Sequence, residues 1–290
     1  MTFRKLITVA ALMGLMACSG KIDDPAARYE QALDAYGAQT YHQAEALLLP
    51  IAKQGHADAQ FLLAEIYMRG RVGEPDDAEG LFWLSQAAEA GHIRAMSMMG
   101  MRYLNGSGVK EDFVKARNLL EKSANANNAK SQLILGFMYT HGKGVEQNED
   151  VAATYYYAAA QQADADAVGR LTAMADNGHG QAMTFLGLMY KDGVGVEQHA
   201  QKAAELVLGG AEQNIAMAQY LVSQAYGTGQ GFEQDYVKAH LWANLAAAQG
   251  YDGAEERRDV WAQLMTPEQI AQAQSEARIW NEKFESTAKE

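Results

Sequence analysis

Cysteine occurs once in this 290-residue chain, proline four times, and aromatic residues make up 9%. A single cysteine excludes an internal disulfide framework and any cysteine-rich zinc site. Four prolines leave little to interrupt helices, since proline is the residue that removes a helical hydrogen bond. Basic residues are the minority: 24 Lys and Arg stand against 36 Asp and Glu, a formal charge of −12. That balance disfavours non-specific binding to nucleic acid or anionic lipid headgroups. What is abundant is alanine, 52 residues of it, which loses no side-chain entropy when the backbone coils. Hydrophobic residues at 48% are close to the globular norm. An acidic, helical protein follows, with no statement yet about its work.

The start of the chain reads as an address. Arg4 and Lys5 precede an apolar run from Leu6 to Met16, followed by Ala17-Cys18-Ser19-Gly20. As a helix that run spans only ~16 Å, too short for a hydrocarbon core of ~30 Å. Its layout is that of an export signal. Leu15-Met16-Ala17-Cys18 resembles a bacterial lipobox, in which cleavage precedes a diacylated cysteine, although Met16 departs from the small residue usual there. An ordinary signal peptide, or a core helix with a chance cysteine, are the alternatives. The lipobox resemblance implies lipid attachment at Cys18. Multiple acyl chains hold a protein where one holds only marginally. Among such lipoproteins, Ser19 in place of Asp implies sorting to an outer membrane. Cleavage there leaves 22 basic against 36 acidic side chains, a charge of −14.

The middle of the chain repeats. Tyr67, Tyr103, Tyr139, Tyr190 and Tyr226 are spaced by 36, 36, 51 and 36 residues, and glycine follows each three positions later (Gly70, Gly106, Gly142, Gly193, Gly229). Three positions before each tyrosine stands a small residue: Ala64, Gly100, Gly136, Gly187 or Ser223. Such a residue shares a helix face with the tyrosine and lets a neighbouring helix approach closely. Glycine at +3 suits a left-handed helix end. A second glycine at +5 (Gly108, Gly144, Gly195, Gly231) permits a tight loop, and small residues at +13 and +21 recur on a second helix. Neither helix of the pair buries its stripe alone, so the pairs must stack.

This pattern resembles the Sel1-like repeat family, relatives of the tetratricopeptide repeat with longer loops between helices. The clearest run is Ala218-Gln219-Tyr220 through Tyr226-Gly227-Thr228-Gly229-Gln230-Gly231, then Asp235-Tyr236-Val237-Lys238-Ala239 and Trp242. The resemblance implies an all-α chain, an α/α solenoid: a right-handed superhelix of helix-loop-helix units with a C-terminal helical cap. The expected organisation is a signal peptide over 1–17 and a lipidated tether over 18–27. A divergent helical pair over 28–55, five repeats over 56–250 and capping helices over 251–290 complete it. The first repeat departs from the loop pattern with Val72 and Pro75, and the 15 extra residues before Tyr190 fit one additional helix near 164–178. A local break in the superhelix is expected there. Two capping boxes, Asp252…Glu255 and Thr266-Pro267-Glu268-Gln269, predict helices at about 253–265 and 267–285.

Catalytic constellations are scarce. His56, His92 and His179 each follow a glycine at a turn in the repeat register, which spreads them along the chain and reads as structural, and HExxH spacing is absent. Some cysteine-rich members of the family are linked to β-lactam binding, so Ser-x-x-Lys is worth a search. Ser107-Gly108-Val109-Lys110 and Ser286-Thr287-Ala288-Lys289 match, but the companion Ser-Asp-Asn and Lys-Thr-Gly motifs are missing. No catalytic residue, metal site or cofactor is expected. Of Tyr155-Tyr156-Tyr157 only one can face the core; the others pack on the extra helix or await a partner.

A surface is the better candidate. By register with the tetratricopeptide family, residues of the first helices flanking the core positions line a concave face: Phe61 and Glu65, Ser97 and Met101, Leu133 and Phe137, Thr184 and Leu188, Tyr220 and Gln224. Such a line holds a peptide or helix, unless tighter winding makes these side chains core. The resulting expectation is an outer-membrane lipoprotein facing the periplasm that serves as a protein-interaction scaffold. Its partners would be other envelope proteins or peptides, with membrane contact through the lipid anchor only and no nucleic acid. The alternative is a hydrolase acting on cell-wall material or β-lactams.

Overall fold

The computed structural model describes residues 24–287, and among them every regular element is a helix. Cys18 and the preceding signal lie outside the described residues, as does Lys289. The described residues divide into two compact units, one ending at Ala126 and the other beginning at Asn127.

In the first unit six helices follow one another: α1 (Pro25–Gly37), α2 (Tyr41–Ala52), α3 (Ala57–Met68), α4 (Asp77–Glu89), α5 (Ile93–Asn105) and α6 (Phe113–Asn125). They pair as α1–α2, α3–α4 and α5–α6, and successive pairs share one core that runs from Ala32 and Leu48 through Leu63, Ile66 and Leu84 to Met99. In the second unit α7 (Ala129–His141) pairs with α8 (Glu149–Ala160), α10 (Gly180–Asp192) with α11 (Ala200–Glu212), and α12 (Ala216–Thr228) with α13 (Tyr236–Ala248). A single helix, α9 (Ala165–Asp176), occupies the extra segment and packs on both α8 and α10. Two further helices, α14 (Ala254–Ala262) and α15 (Pro267–Thr287), close against α13.

Four of the five repeats are stopped, and all five restarted, by the same devices. Gly106, Gly142, Gly193 and Gly229 end their helices with φ of +66, +64, +72 and +74°, a conformation that a β-carbon would strain. The chain then turns until the backbone N–H of the next N-cap residue returns to the repeat tyrosine. Asp76, Asp112, Asn148, His199 and Asp235 donate to the carbonyls of Tyr67, Tyr103, Tyr139, Tyr190 and Tyr226 at 2.8–3.0 Å. Those five side chains also cap α4, α6, α8, α11 and α13.

In three repeats the glycine three before the tyrosine meets a large residue on the second helix. A β-carbon on Gly100 would lie 2.6 Å from Leu120, on Gly136 2.5 Å from the Tyr156 ring, and on Gly187 2.7 Å from Val207. In the last repeat the corresponding residue is Ala243, and the volume is filled from outside. Trp261 of α14 clusters with Ala239 and Ala243, lies against Gly227, and donates its indole N–H to Ser223 Oγ at 2.9 Å.

One expectation fails at the start of α14. Gly253, at φ +74°, is the N-cap, and no side chain caps this helix, so Asp252 and Glu255 form no capping box. The left-handed glycine puts Asp252 one residue outside the cap position. Thr266 and Gln269 do form the reciprocal pair: the Thr266 N–H donates to Gln269 Oε1 at 2.9 Å, and the Gln269 N–H to Thr266 Oγ1 at 3.3 Å.

Candidate functional site

The first helices of the repeats supply the proposed face, and their neighbours decide how much of it stays open. Phe61 on α3 is buried: His92 stacks on its ring at 4.2 Å and the Arg94 guanidinium lies over it at 4.8 Å. Thr184 on α10 is fully buried and donates its hydroxyl to the Gly180 carbonyl at 2.8 Å. Ser97 is buried as well. These three belong to helix packing, Phe61 being covered by His92 and Arg94 of the next repeat. Glu65 is held by Arg69 at 2.9 Å and by Arg94 at 4.0 Å. Met101 is 38% exposed. Leu133 and Phe137 on α7 are half-buried, Phe137 lying 4.1 Å from His141 and 5.7 Å from the Lys143 ammonium. Tyr220 on α12 is half-buried against Tyr251 at 5.1 Å.

Leu188 and Gln224 alone of the ten share a described cavity. It opens between α10 and α12 with a volume of about 360 Å³, within the ~300–1,000 Å³ range of ligand pockets. Ala203, Ala204 and Val207 of α11 form its floor, Leu188 and Leu221 its apolar walls, and Lys191 and Arg257 stand on its lining. Lys191 follows the repeat tyrosine, and Arg257 comes from α14, outside the repeats. No periodicity in the sequence links them. The charge on each was visible, but their convergence was not.

Elsewhere the titratable groups have structural employment. His56, His92, His179 and His199 are N-caps whose Nδ1 accepts a backbone N–H at 3.3, 3.1, 3.2 and 3.2 Å. Burial holds the His92 imidazole below its ordinary value, with Asp58 pulling the other way. Burial also lowers His240, reinforced by Arg258. Burial, and a hydrogen bond to Glu45 at 2.6 Å, push Tyr67 upward. Ser107 is exposed in a loop, with its carbonyl accepting from Arg102, and the Ser286 hydroxyl donates to the Lys283 carbonyl. Tyr156 is the core member of its triplet. Tyr155 stacks on Tyr139 and Tyr157 on Phe185. Among the described residues no group of three or more His, Cys, Asp or Glu is placed to hold a metal, and no helix is long and apolar enough to cross a membrane.

Two polar straps, also unread in the sequence, join successive turns. Gln162 donates to Asn127 Oδ1 and Gln132 Oε1 at 3.2 and 2.8 Å, and Gln249 to Asn214 Oδ1 and Gln219 Oε1 at 2.9 and 2.8 Å. Asn127 and Asn214 sit at φ +62 and +63°, which asparagine tolerates better than most residues.

The Sel1 repeat family model matches residues 57–92, 93–128, 129–164, 180–214 and 216–251. Those windows hold the pairs α3–α4, α5–α6, α7–α8, α10–α11 and α12–α13, and skip α9. An alginate biosynthesis protein, AlgK, from Azotobacter vinelandii is 32% identical over 104 residues, 33% of this chain and 23% of that one. The match thus spans about a quarter of that relative's length. Among solved structures, a Sel1 repeat protein from Oxalobacter formigenes is 27% identical over 76% of this chain and 84% of its own, with a TM-score of 0.47. The c5321 protective antigen of uropathogenic Escherichia coli, described as displaying an SLR fold, is 20% identical over 95% and 78%, with a TM-score of 0.48.

Proposed function

Because this chain belongs to the Sel1 repeat family, whose paired helices present side chains on a scaffold of repeated turns, we propose that it is a protein-interaction scaffold of the cell envelope. It is held at the outer membrane by lipid on Cys18 and faces the periplasm. The observation that carries the interaction reading is the cavity between α10 and α12, where Leu188 and Gln224 meet over an alanine floor. An apolar hollow with a few polar groups is the usual form of a recognition site. The address rests on Arg4, Lys5, the apolar run and Leu15-Met16-Ala17-Cys18. The likeness to an alginate biosynthesis protein supports a place beside the biosynthesis of a polysaccharide. The hydrolase alternative draws no support from Ser107, exposed in a loop, or from Ser286, whose hydroxyl is bonded to the Lys283 carbonyl.

In-cell photo-crosslinking tests the interaction. A reactive side chain at Gln224 should give one dominant adduct, and the same group at Glu205, an exposed residue of α11 outside the cavity lining, should give none. Equal adducts at both positions, or none at either, would remove the case. Cys18→Ser in the same cells should abolish acyl labelling and release the protein from the membrane fraction; unchanged fractionation would overturn the address.

A further inference from the structure

The charges on the cavity between α10 and α12 are of one sign. Its lining carries Lys191 and Arg257 and no carboxylate, in a chain where acids outnumber bases 36 to 24. Arg258, the next residue, shows the contrast: its guanidinium is bound by Asp259 at 2.9 Å and Glu255 at 3.3 Å. Arg257 forms no ion pair among the described residues, and its guanidinium lies 5.5 Å from the centre of the Trp261 ring. That contact leaves its N–H donors free for a planar anion, since an aromatic face contacts the guanidinium through its π surface. Beneath the two cations the floor is aliphatic.

We propose that this cavity binds an acidic peptide segment of a partner protein. One apolar side chain of the segment is seated on Ala203, Ala204 and Val207, and a neighbouring carboxylate is held by Lys191 and Arg257. The proposal rests on the interaction reading above and specifies the partner's chemistry. Charge complementarity selects the occupant, because a carboxylate satisfies both cations through charge-assisted hydrogen bonds. A basic or neutral segment leaves those cations facing no counter-charge. The amide side chains of Gln224 and Gln230 on the same lining match the donors and acceptors of a peptide backbone, while that of Gln198 is already bonded to the Lys191 carbonyl at 2.7 Å. An acyl chain would leave Gln224 and Gln230 unpaired, which is costly once water is displaced.

Panning a random octapeptide display library on the full chain, and in parallel on the Lys191→Glu/Arg257→Glu variant, tests this. The full chain should enrich peptides with an apolar residue beside Asp or Glu, and the charge-reversed variant should lose that enrichment. For one enriched peptide, Lys191→Gln and Arg257→Gln should each weaken binding by about tenfold or more. Replacing the peptide's acid by its amide should weaken it on the unaltered protein to a similar degree, which reads the same contact without altering the fold. Peptides that bind the variants equally well, or carry no acid, would overturn the carboxylate site and leave the interaction reading standing. A library that yields no binder to the full chain would overturn both.

Discussion

Glycine has opposite consequences at two helical positions of the second unit. At Gly136 on α7 an added β-carbon would lie 2.5–3.0 Å from three atoms of the Tyr156 ring, which is itself 2% exposed. The ring is further fixed by its hydroxyl, 3.2 Å from that of Thr140. At Gly169 on α9 nothing lies within 4 Å. Alanine's helix preference is therefore outweighed by overpacking at Gly136 and unopposed at Gly169. Gly136→Ala should lower unfolding stability by about 1–3 kcal/mol, and Gly169→Ala should raise it by about 0.5–1 kcal/mol. Urea titration of the full chain reads both, and a Gly136→Ala protein as stable as the parent would mean that the ring yields. The need for a small residue here was legible in the sequence, because a small residue recurs three positions before the tyrosine in every repeat. The burial of Phe61 was not. Its cover comes from His92 and Arg94, residues of the next repeat that have no fixed counterparts in every unit.

At the scale of the helix, the sequence reads His92 as a turn residue after Gly91, and the structure gives it a bond. Its Nδ1 accepts the Ala95 N–H at 3.1 Å to start α5, so the ring must be unprotonated at that atom. Its other nitrogen faces Asp58 at 3.5 Å, Phe61 covers one side, and Arg94 and Glu65 add opposing charges. Burial outweighs the carboxylates and holds the folded-state value below the ordinary 6.5. The sign follows by linkage. As pH falls through about 6.5, the unfolded chain takes up a proton that the folded chain refuses, so stability is lost toward acid and is flat above neutrality. His92→Asn keeps a cap acceptor and removes the titration. The stability difference between pH 7.5 and 5.5, measured by chemical unfolding, should therefore be smaller in the variant than in the parent. An identical pH slope in the two proteins would show that His92 does not carry it. The helix start at Thr266 was readable because its capping chemistry is general. The histidine caps and the left-handed Gly253 were not, because histidine accepts only in one tautomer and Gly253 displaces Asp252 from a box that its spacing to Glu255 otherwise satisfies.

For the molecule as a whole, a stack of repeats has a problem only at its ends, since each unit is stabilised chiefly by its neighbours. The last repeat lacks a large residue at the position that Leu120, Tyr156 and Val207 fill in earlier ones, and Trp261 of α14 supplies the volume from outside the repeat register. The same helix brings Arg257 to the cavity, so the end of the stack and the candidate binding site share one short element. That coupling explains why the repeats were legible from spacing while the site was not: half of its charge comes from a segment with no repeat to compare against. Trp261→Ala removes a 6%-exposed indole and its hydrogen bond to Ser223, a change that should cost about 3–5 kcal/mol. In a one-dimensional stack the damage stays near its source. Amide hydrogen exchange should accelerate in α12, α13 and α14 and change little in α7 and α8. Equal acceleration across all five helices would mean that the second unit unfolds as one cooperative body. The cavity would then be as stable as the unit's core rather than one terminal element away from opening.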